Sequence, residues 1–79
     1  MMNEKQIYRR MNECFESDYK NYEHEAEWYG SDDPKEWMFY VPSQAMTVKM
    51  IMEEESKRIM IYEQWCGKED FEYVGNYSW

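Results

Sequence analysis

The sequence predicts an α+β fold in which a long N-terminal helix packs on a small antiparallel sheet. Tyr, Met and Phe residues recur at helical spacing in the first third of the chain. After residue 36, short apolar runs alternate with polar residues as strands do. A turn-forming segment, Ser31-Asp32-Asp33-Pro34, separates the two regions. With 79 residues, the chain is expected to form a single domain, 1–79, near the lower size limit for a self-sufficient core.

An apolar stripe with spacings of three and four residues predicts a helix over residues 3–29. The stripe consists of Tyr8, Met11, Phe15, Tyr19, Tyr22, Ala26 and Tyr29. Asn3 and Gln6 fit a capping box at its start. Gly30 follows the last stripe residue, where a left-handed residue often ends a helix. The acidic residues on the remaining helix surface are expected to face solvent.

Three further segments are interpreted as strands. The short apolar run Trp37–Val41 is bounded by Pro42 and predicts the first of them. Residues 46–52 and 58–65 alternate between apolar and polar faces, which favours a hairpin. The tail from Phe71 to Trp79 carries four aromatic residues and either adds an edge strand or packs on the core.

The hairpin has an alternative, because residues 43–66 also fit a single helix with Ser43 as its cap and Gly67 after its end. That alternative gives an all-α, three-helix arrangement. The connection 53–57 lacks the Gly, Asn or Asp typical of hairpin turns, and Glu, Lys and Met are good helix formers. However, the apolar residues would scatter around such a helix without forming a stripe, so the hairpin is the preferred interpretation.

The composition indicates an aromatic-rich domain of marginal stability, stabilised further by self-association or by a partner. There is no leucine, whereas there are eight Met, eight Tyr, four Trp and three Phe residues. No apolar segment resembles a signal peptide or a membrane span, so a cytoplasmic protein without membrane contact is expected. The net charge of −8 disfavours direct binding to nucleic acid.

No residue pattern predicts catalysis, a metal or a cofactor, and we expect a non-enzymatic protein. His24 is the only histidine and has no partner at zinc-ligand spacing. Cys14 and His24 would lie about 15 Å apart along the predicted helix, too far for a nucleophile and its base. The two cysteines, Cys14 and Cys66, are expected to be free buried thiols, with a disulfide as the alternative.

An acidic segment, residues 13–36, dominates the charge distribution. It contains nine carboxylates and two lysines, which gives −7 of the net −8. Glu23 and Glu27 would repel each other one helical turn apart, and such a cost suggests that the charge serves a partner. The alternative is a face that only confers solubility. The candidate partner-binding residues are Glu13, Glu16, Glu23, Glu27, Trp28, Asp32, Asp33 and Glu36.

In size, acidity and aromatic content the chain resembles the small phage-encoded inhibitors of bacterial defence nucleases, the anti-CRISPR and anti-restriction proteins. The resemblance implies a basic, nucleic-acid-binding protein as partner and inhibition by occlusion, with the acidic surface acting as a nucleic-acid mimic. A rival hypothesis is a structural or assembly protein, a homo-oligomer that associates through its Tyr, Trp and Met surface.

Overall fold

The computed structural model describes all 79 residues and contains one α-helix and one five-stranded antiparallel sheet. The strands follow one another in the sheet in the order β1-β2-β3-β4-β5. The α+β prediction is confirmed, and the all-α alternative is wrong. The elements are α1 Glu4–Tyr19, β1 Glu27–Tyr29, β2 Glu36–Val41, β3 Met46–Glu53, β4 Arg58–Trp65 and β5 Glu72–Ser78, with 3₁₀ turns at Lys20–Tyr22 and Pro42–Gln44.

The start of α1 follows the predicted capping box. The Asn3 side chain accepts a hydrogen bond of 2.9 Å from the backbone N–H of Gln6, and the Gln6 side chain accepts one of 2.9 Å from the N–H of Asn3. Two backbone donors that have no partner within the helix are thereby satisfied.

The predicted end of the helix at Tyr29 is wrong, because α1 ends at Tyr19. Sixteen residues give a helix of roughly 24 Å, which matches the roughly 27 Å spanned by an eight-residue strand. A helix that continued to Tyr29 would overrun the sheet. Instead the chain turns and residues Glu27–Tyr29 pair with β2, so Gly30 follows a strand and does not cap a helix.

The hairpin formed by β3 and β4 is confirmed, with Glu53 opposite Arg58 at its end. The turn contains no Gly, Asn or Asp, and Lys57 adopts the left-handed conformation there with φ of 54°. The strand predicted at Trp37–Val41 and the edge strand in the tail are also confirmed, as β2 and β5.

The core lies between α1 and one face of the sheet. It comprises thirteen buried residues, none of them charged. From α1 come Ile7, Met11, Cys14, Phe15 and Tyr19; from the sheet come Phe39, Val41, Met46, Val48, Met50, Met52, Ile59 and Ile61.

The opposite face of the sheet has no helix over it. One row of cross-strand neighbours on this face runs Met38–Lys49–Tyr62–Tyr73. The Lys49 ammonium lies 4.2 Å from the centre of the Phe71 ring, a cation–π contact. This open sheet face therefore carries Met and Tyr residues around one lysine that is already in contact with an aromatic ring. No helix of the protein has the length and apolar character needed to span a membrane.

Candidate functional site

A cleft of about 470 Å³ opens between α1 and the segment that joins β1 to β2. Its walls combine aromatic rings with carboxylates, and we call it the Trp28–Trp37 cleft. The lining residues are Tyr8, Asn12, Phe15, Glu23, Trp28, Tyr29, Ser31, Asp33, Pro34, Glu36 and Trp37.

The aromatic wall of the cleft is a continuous series of ring contacts. The ring centres of Trp28 and Trp37 are 5.4 Å apart with their planes at 88°. Tyr8 extends the series from Trp37, at 5.3 Å, and Phe15 extends it from Trp28, at 5.1 Å. Such edge-to-face and tilted contacts are favourable for aromatic rings, so the wall is held together by its own members.

Trp28 is exposed because β1 is a short edge strand. It lies opposite Phe39 in the sheet and its ring packs against Phe39 with centres 4.7 Å apart. Yet 47% of Trp28 remains accessible, since α1 covers β2 and β3 more fully than the edge. An anchored indole with a free surface is suited to contact a partner.

The carboxylates of the cleft are Glu23, Asp33 and Glu36. The loop before β2 fixes Asp33: one of its side-chain oxygens accepts a 2.9 Å hydrogen bond from the Lys35 N–H, and its own N–H donates to the Ser31 hydroxyl at 3.1 Å. The Glu36 N–H donates to the Asp33 carbonyl at 3.1 Å. The Asp33 side chain is therefore held in place by local backbone contacts.

No lysine or arginine forms an ion pair with these three carboxylates. Lys35, the nearest basic residue in sequence, instead contacts Glu54 at 2.7 Å. Glu23 has only His24 beside it, at 3.8 Å. The three carboxylates therefore have no Lys or Arg in direct contact, although Lys35 is near enough to Asp33 for their charges to interact.

A second, smaller depression adjoins the cleft and shares Tyr8, Ser31, Pro34 and Trp37 with it. It adds the carboxylates of Glu4 and Asp32 and contains no basic residue. Five acidic residues therefore belong to the linings of the two depressions, which share one aromatic wall.

The predicted partner-binding residues do not all lie together on one surface. The structure brings Glu23, Trp28, Asp33 and Glu36 together in the cleft and Asp32 beside it. Three others lie elsewhere: Glu13 pairs with Arg10 at 3.1 Å, Glu16 is exposed on α1, and Glu27 is exposed on β1.

Sequence reasoning missed Tyr8 and Trp37 as members of the site. Tyr8 belongs to the apolar stripe and was expected in the core, but it is 63% exposed. Trp37 was treated only as a strand residue. The alternation along β2 puts Trp37 on the opposite side of the strand from Met38. This pattern indicates a place in the site only once the position of β2 beside α1 is known.

The thiols lie away from the cleft. Cys14 is buried in the core, and burial together with the nearby Asp18 charge raises the pKa of its thiol to about 12. Cys66 is exposed, so the expectation that both thiols are buried is wrong for this residue, while both are free. No group of three or more His, Cys, Asp or Glu side chains is arranged to hold a metal ion.

The cleft offers hydrogen-bond acceptors, aromatic surface and negative charge, and its lining contains no Cys, His or Lys. Such a site is chemically suited to a group that is positively charged and donates hydrogen bonds. Comparison of the chain with known protein families, with curated proteins and with solved structures found no match.

Proposed function

We propose that this protein is a non-enzymatic inhibitor that binds a basic, nucleic-acid-binding surface of a nuclease or another nucleic-acid enzyme. Its acidic surface would occupy the place of the nucleic acid, as in the anti-CRISPR and anti-restriction proteins that it resembles in type. The partner is a protein, and no direct contact with nucleic acid or membrane is part of the proposal.

One observation carries the proposal: acidic residues without a Lys or Arg ion-pair partner border an exposed aromatic wall. Lys and Arg side chains that hold a nucleic acid also pair with carboxylates, and an exposed indole adds contact area. A net charge of −8 would accelerate encounter with a basic surface and make it sensitive to salt.

The test uses the purified protein immobilised as bait in a bacterial lysate at low salt and at 0.5 M NaCl. We expect a nucleic-acid-binding enzyme to be retained at low salt and released at high salt. Once purified, that enzyme should lose its nucleic-acid binding in proportion to added inhibitor. If the retained enzyme binds nucleic acid equally well when saturated with this protein, occlusion is wrong.

Matched charge reversals locate the surface. The variant Glu23→Lys, Asp32→Lys reverses two exposed acidic residues beside the aromatic wall and should weaken the complex at least tenfold. The control Glu69→Lys, Glu72→Lys makes the same change of charge on exposed residues elsewhere and should weaken it much less. Equal losses would indicate that only the net charge matters.

A second candidate function, self-assembly, is favoured by the open sheet face. Its Met and Tyr residues around Tyr62 are not covered by any element of the same chain, and only thirteen of 79 residues are buried. A second copy placed face to face would bury this surface, as in a sheet-on-sheet packing.

Sedimentation equilibrium tests this second candidate. Self-assembly predicts a dimer that persists in 0.5 M NaCl, because apolar contacts are not weakened by salt. The variant Met60→Glu, Tyr62→Glu should then be monomeric. A wild-type protein that remains monomeric at millimolar concentration would exclude assembly through this face.

A further inference from the structure

We propose that the Trp28–Trp37 cleft receives a single arginine side chain of the partner protein. This inference rests on the proposed function, because it names the chemical group that the acidic surface recognises. It also makes a claim about the isolated protein, namely that the cleft binds a guanidinium group on its own.

The size of the cleft fits one side chain. Its volume of about 470 Å³ lies at the lower end of the range for small-ligand sites, roughly 300–1,000 Å³. It is bounded on one side by α1 through Asn12 and on the other by the loop residues Ser31 and Pro34. A helix or a second sheet would not enter such a space, whereas an extended side chain would.

The aromatic wall provides a surface for a cation. Trp is the most favourable ring for cation–π contact, and the attraction extends to about 6 Å from the ring centre. The perpendicular indoles of Trp28 and Trp37 form a corner, and Tyr8 continues it. The protein's own cation–π contacts are elsewhere, between Arg10 and Trp79 and between Lys49 and Phe71, so no internal cation occupies the two indoles.

The carboxylates distinguish a cation from a neutral ligand. Asp33 and Glu36 stand on the loop and strand that border the indoles, and neither forms an ion pair with a basic residue. Lys35 forms its ion pair with Glu54, and neither residue belongs to the lining of the cleft. A phosphate or other anion would be repelled by the same groups, which argues against a nucleotide as the occupant.

Guanidinium fits the combination of groups better than ammonium does. Its planar shape stacks on an aromatic face while its five N–H donors point outward in the same plane and pair with carboxylates. It is also more weakly hydrated than ammonium, so entry into a partly apolar cleft costs less. The adjoining carboxylates of Glu4 and Asp32 can meet further basic residues that flank the arginine in the partner.

The experiment is a titration of ¹⁵N-labelled protein with N-acetyl-arginine amide. The protein has four tryptophans, and their indole N–H signals, assigned with single Trp→Phe variants, report four places on the surface. We expect saturable shifts for Trp28 and Trp37 with a dissociation constant on the order of 1–10 mM. Trp65 and Trp79 should not respond. Uniform shifts of all four signals, or none, would overturn the proposal.

Two related probes test the chemistry. N-acetyl-citrulline amide has nearly the same shape without the charge and should give no saturable shift. N-acetyl-lysine amide should bind at least threefold more weakly than the arginine probe. Equal binding of the citrulline probe would refute recognition of charge, and lysine binding as tight as arginine binding would refute the assignment to guanidinium.

A matched pair of variants tests the carboxylates. Asp33→Asn with Glu36→Gln should weaken arginine binding about fivefold or more, while the Asn oxygen can still accept the hydrogen bond from Lys35. The control Glu69→Gln with Glu72→Gln should bind as the wild type does. Trp28→Leu should abolish binding. If the NMR spectrum shows that the Trp28→Leu protein is unfolded, the carboxylate variant alone decides the test.

The two proposals fail separately. If the arginine probe binds in the cleft but no nucleic-acid enzyme is inhibited, the receptor site stands and the inhibitor function is wrong. If an enzyme is occluded while the probe leaves Trp28 and Trp37 unchanged, the function stands and the arginine receptor is wrong.

Discussion

Tyr19 links the last turn of α1 to β4 through one side-chain hydrogen bond. Its hydroxyl donates to a carboxylate oxygen of Glu63 at 2.7 Å, and the residue is 6% exposed. Burial, together with the hydrogen bond and charge of Glu63, raises the pKa of Tyr19 far above its ordinary value. The hydroxyl is therefore protonated, and available as a donor, throughout the neutral range.

We expect Tyr19→Phe to lower the free energy of unfolding by about 1.5–3 kcal/mol, the usual range for losing a hydrogen bond to a charged group. Urea unfolding followed by tryptophan fluorescence measures the change. Tyr8→Phe is the matched control, because the exposed Tyr8 keeps its ring contact with Trp37 and should change the free energy by less than about 0.5 kcal/mol. Equal effects of the two variants would mean that the Tyr19–Glu63 bond contributes nothing specific.

The carboxylate of Glu54 connects three segments of the protein. It accepts a hydrogen bond from the Lys35 ammonium at 2.7 Å and another from the Met2 backbone N–H. The segment before α1, the start of β2 and the β3–β4 turn are thus joined at one point. Lys35 thus has its ion-pair partner outside the lining of the Trp28–Trp37 cleft.

At the scale of elements, this connection predicts a pH dependence. The hydrogen bonds from Lys35 and then Met2 lower the pKa of Glu54 below 4.5. A lowered carboxylate pKa stabilises the folded protein above the unfolded-state pKa, and that contribution is lost as pH falls through the folded-state pKa. The hydrogen bond to Glu54 raises the pKa of Lys35 above 10.5, so its contribution is present below that pH and is lost only as pH rises beyond it.

Glu54→Gln should therefore lower the melting temperature at pH 7, and this effect should shrink as pH falls through the folded-state pKa of Glu54. Thermal unfolding followed by circular dichroism between pH 2 and pH 9 measures the difference. Glu55→Gln, in the same turn but without a side-chain hydrogen bond, is the control and should show no such pH-dependent difference. If Glu54→Gln lowers the melting temperature by the same amount at every pH between 2 and 9, the stabilisation by Glu54 does not depend on its charge.

The helix and strands could be predicted from the sequence only in part. The alternation of Met46, Val48 and Met50 identified β3 and its buried face, because a period of two is incompatible with a helix. The same reasoning extended α1 to Tyr29, since residues 20–29 also fit a helical period. Residues Glu27–Tyr29 instead pair with the edge of β2. Local propensity does not predict this pairing, because it depends on residues distant in the sequence.

At the scale of the whole molecule, the net charge of −8 acts against the fold through self-repulsion. We expect the melting temperature to rise when NaCl is increased from 10 mM to 0.5 M, because salt screens repulsion between exposed carboxylates. The variant Glu16→Lys, Glu27→Lys, Asp32→Lys adds two charges at each of three positions and brings the net charge from −8 to −2.

This variant should melt at a higher temperature than the wild type at 10 mM NaCl and should gain less from added salt. Differential scanning calorimetry at both salt concentrations measures the two effects. The variant Glu16→Gln, Glu27→Gln, Asp32→Asn, with half the change in charge, is expected to be intermediate. If the melting temperature instead falls with each neutralised charge, these carboxylates stabilise the fold, and the expectation that they destabilise it is wrong.

The capped start of α1, the hairpin of β3 and β4, and the predominance of negative charge in residues 13–36 could all be predicted from the sequence. Each of these depends on residues close together in the chain, whose spacing reports local geometry. The tertiary structure was needed to show that α1 ends at Tyr19 and that Trp28 and Trp37 meet at one cleft. It also decided that Glu23, Asp33 and Glu36 border that cleft while Glu13 pairs with Arg10. These outcomes depend on strand pairing and on the length of the sheet, which no local pattern encodes.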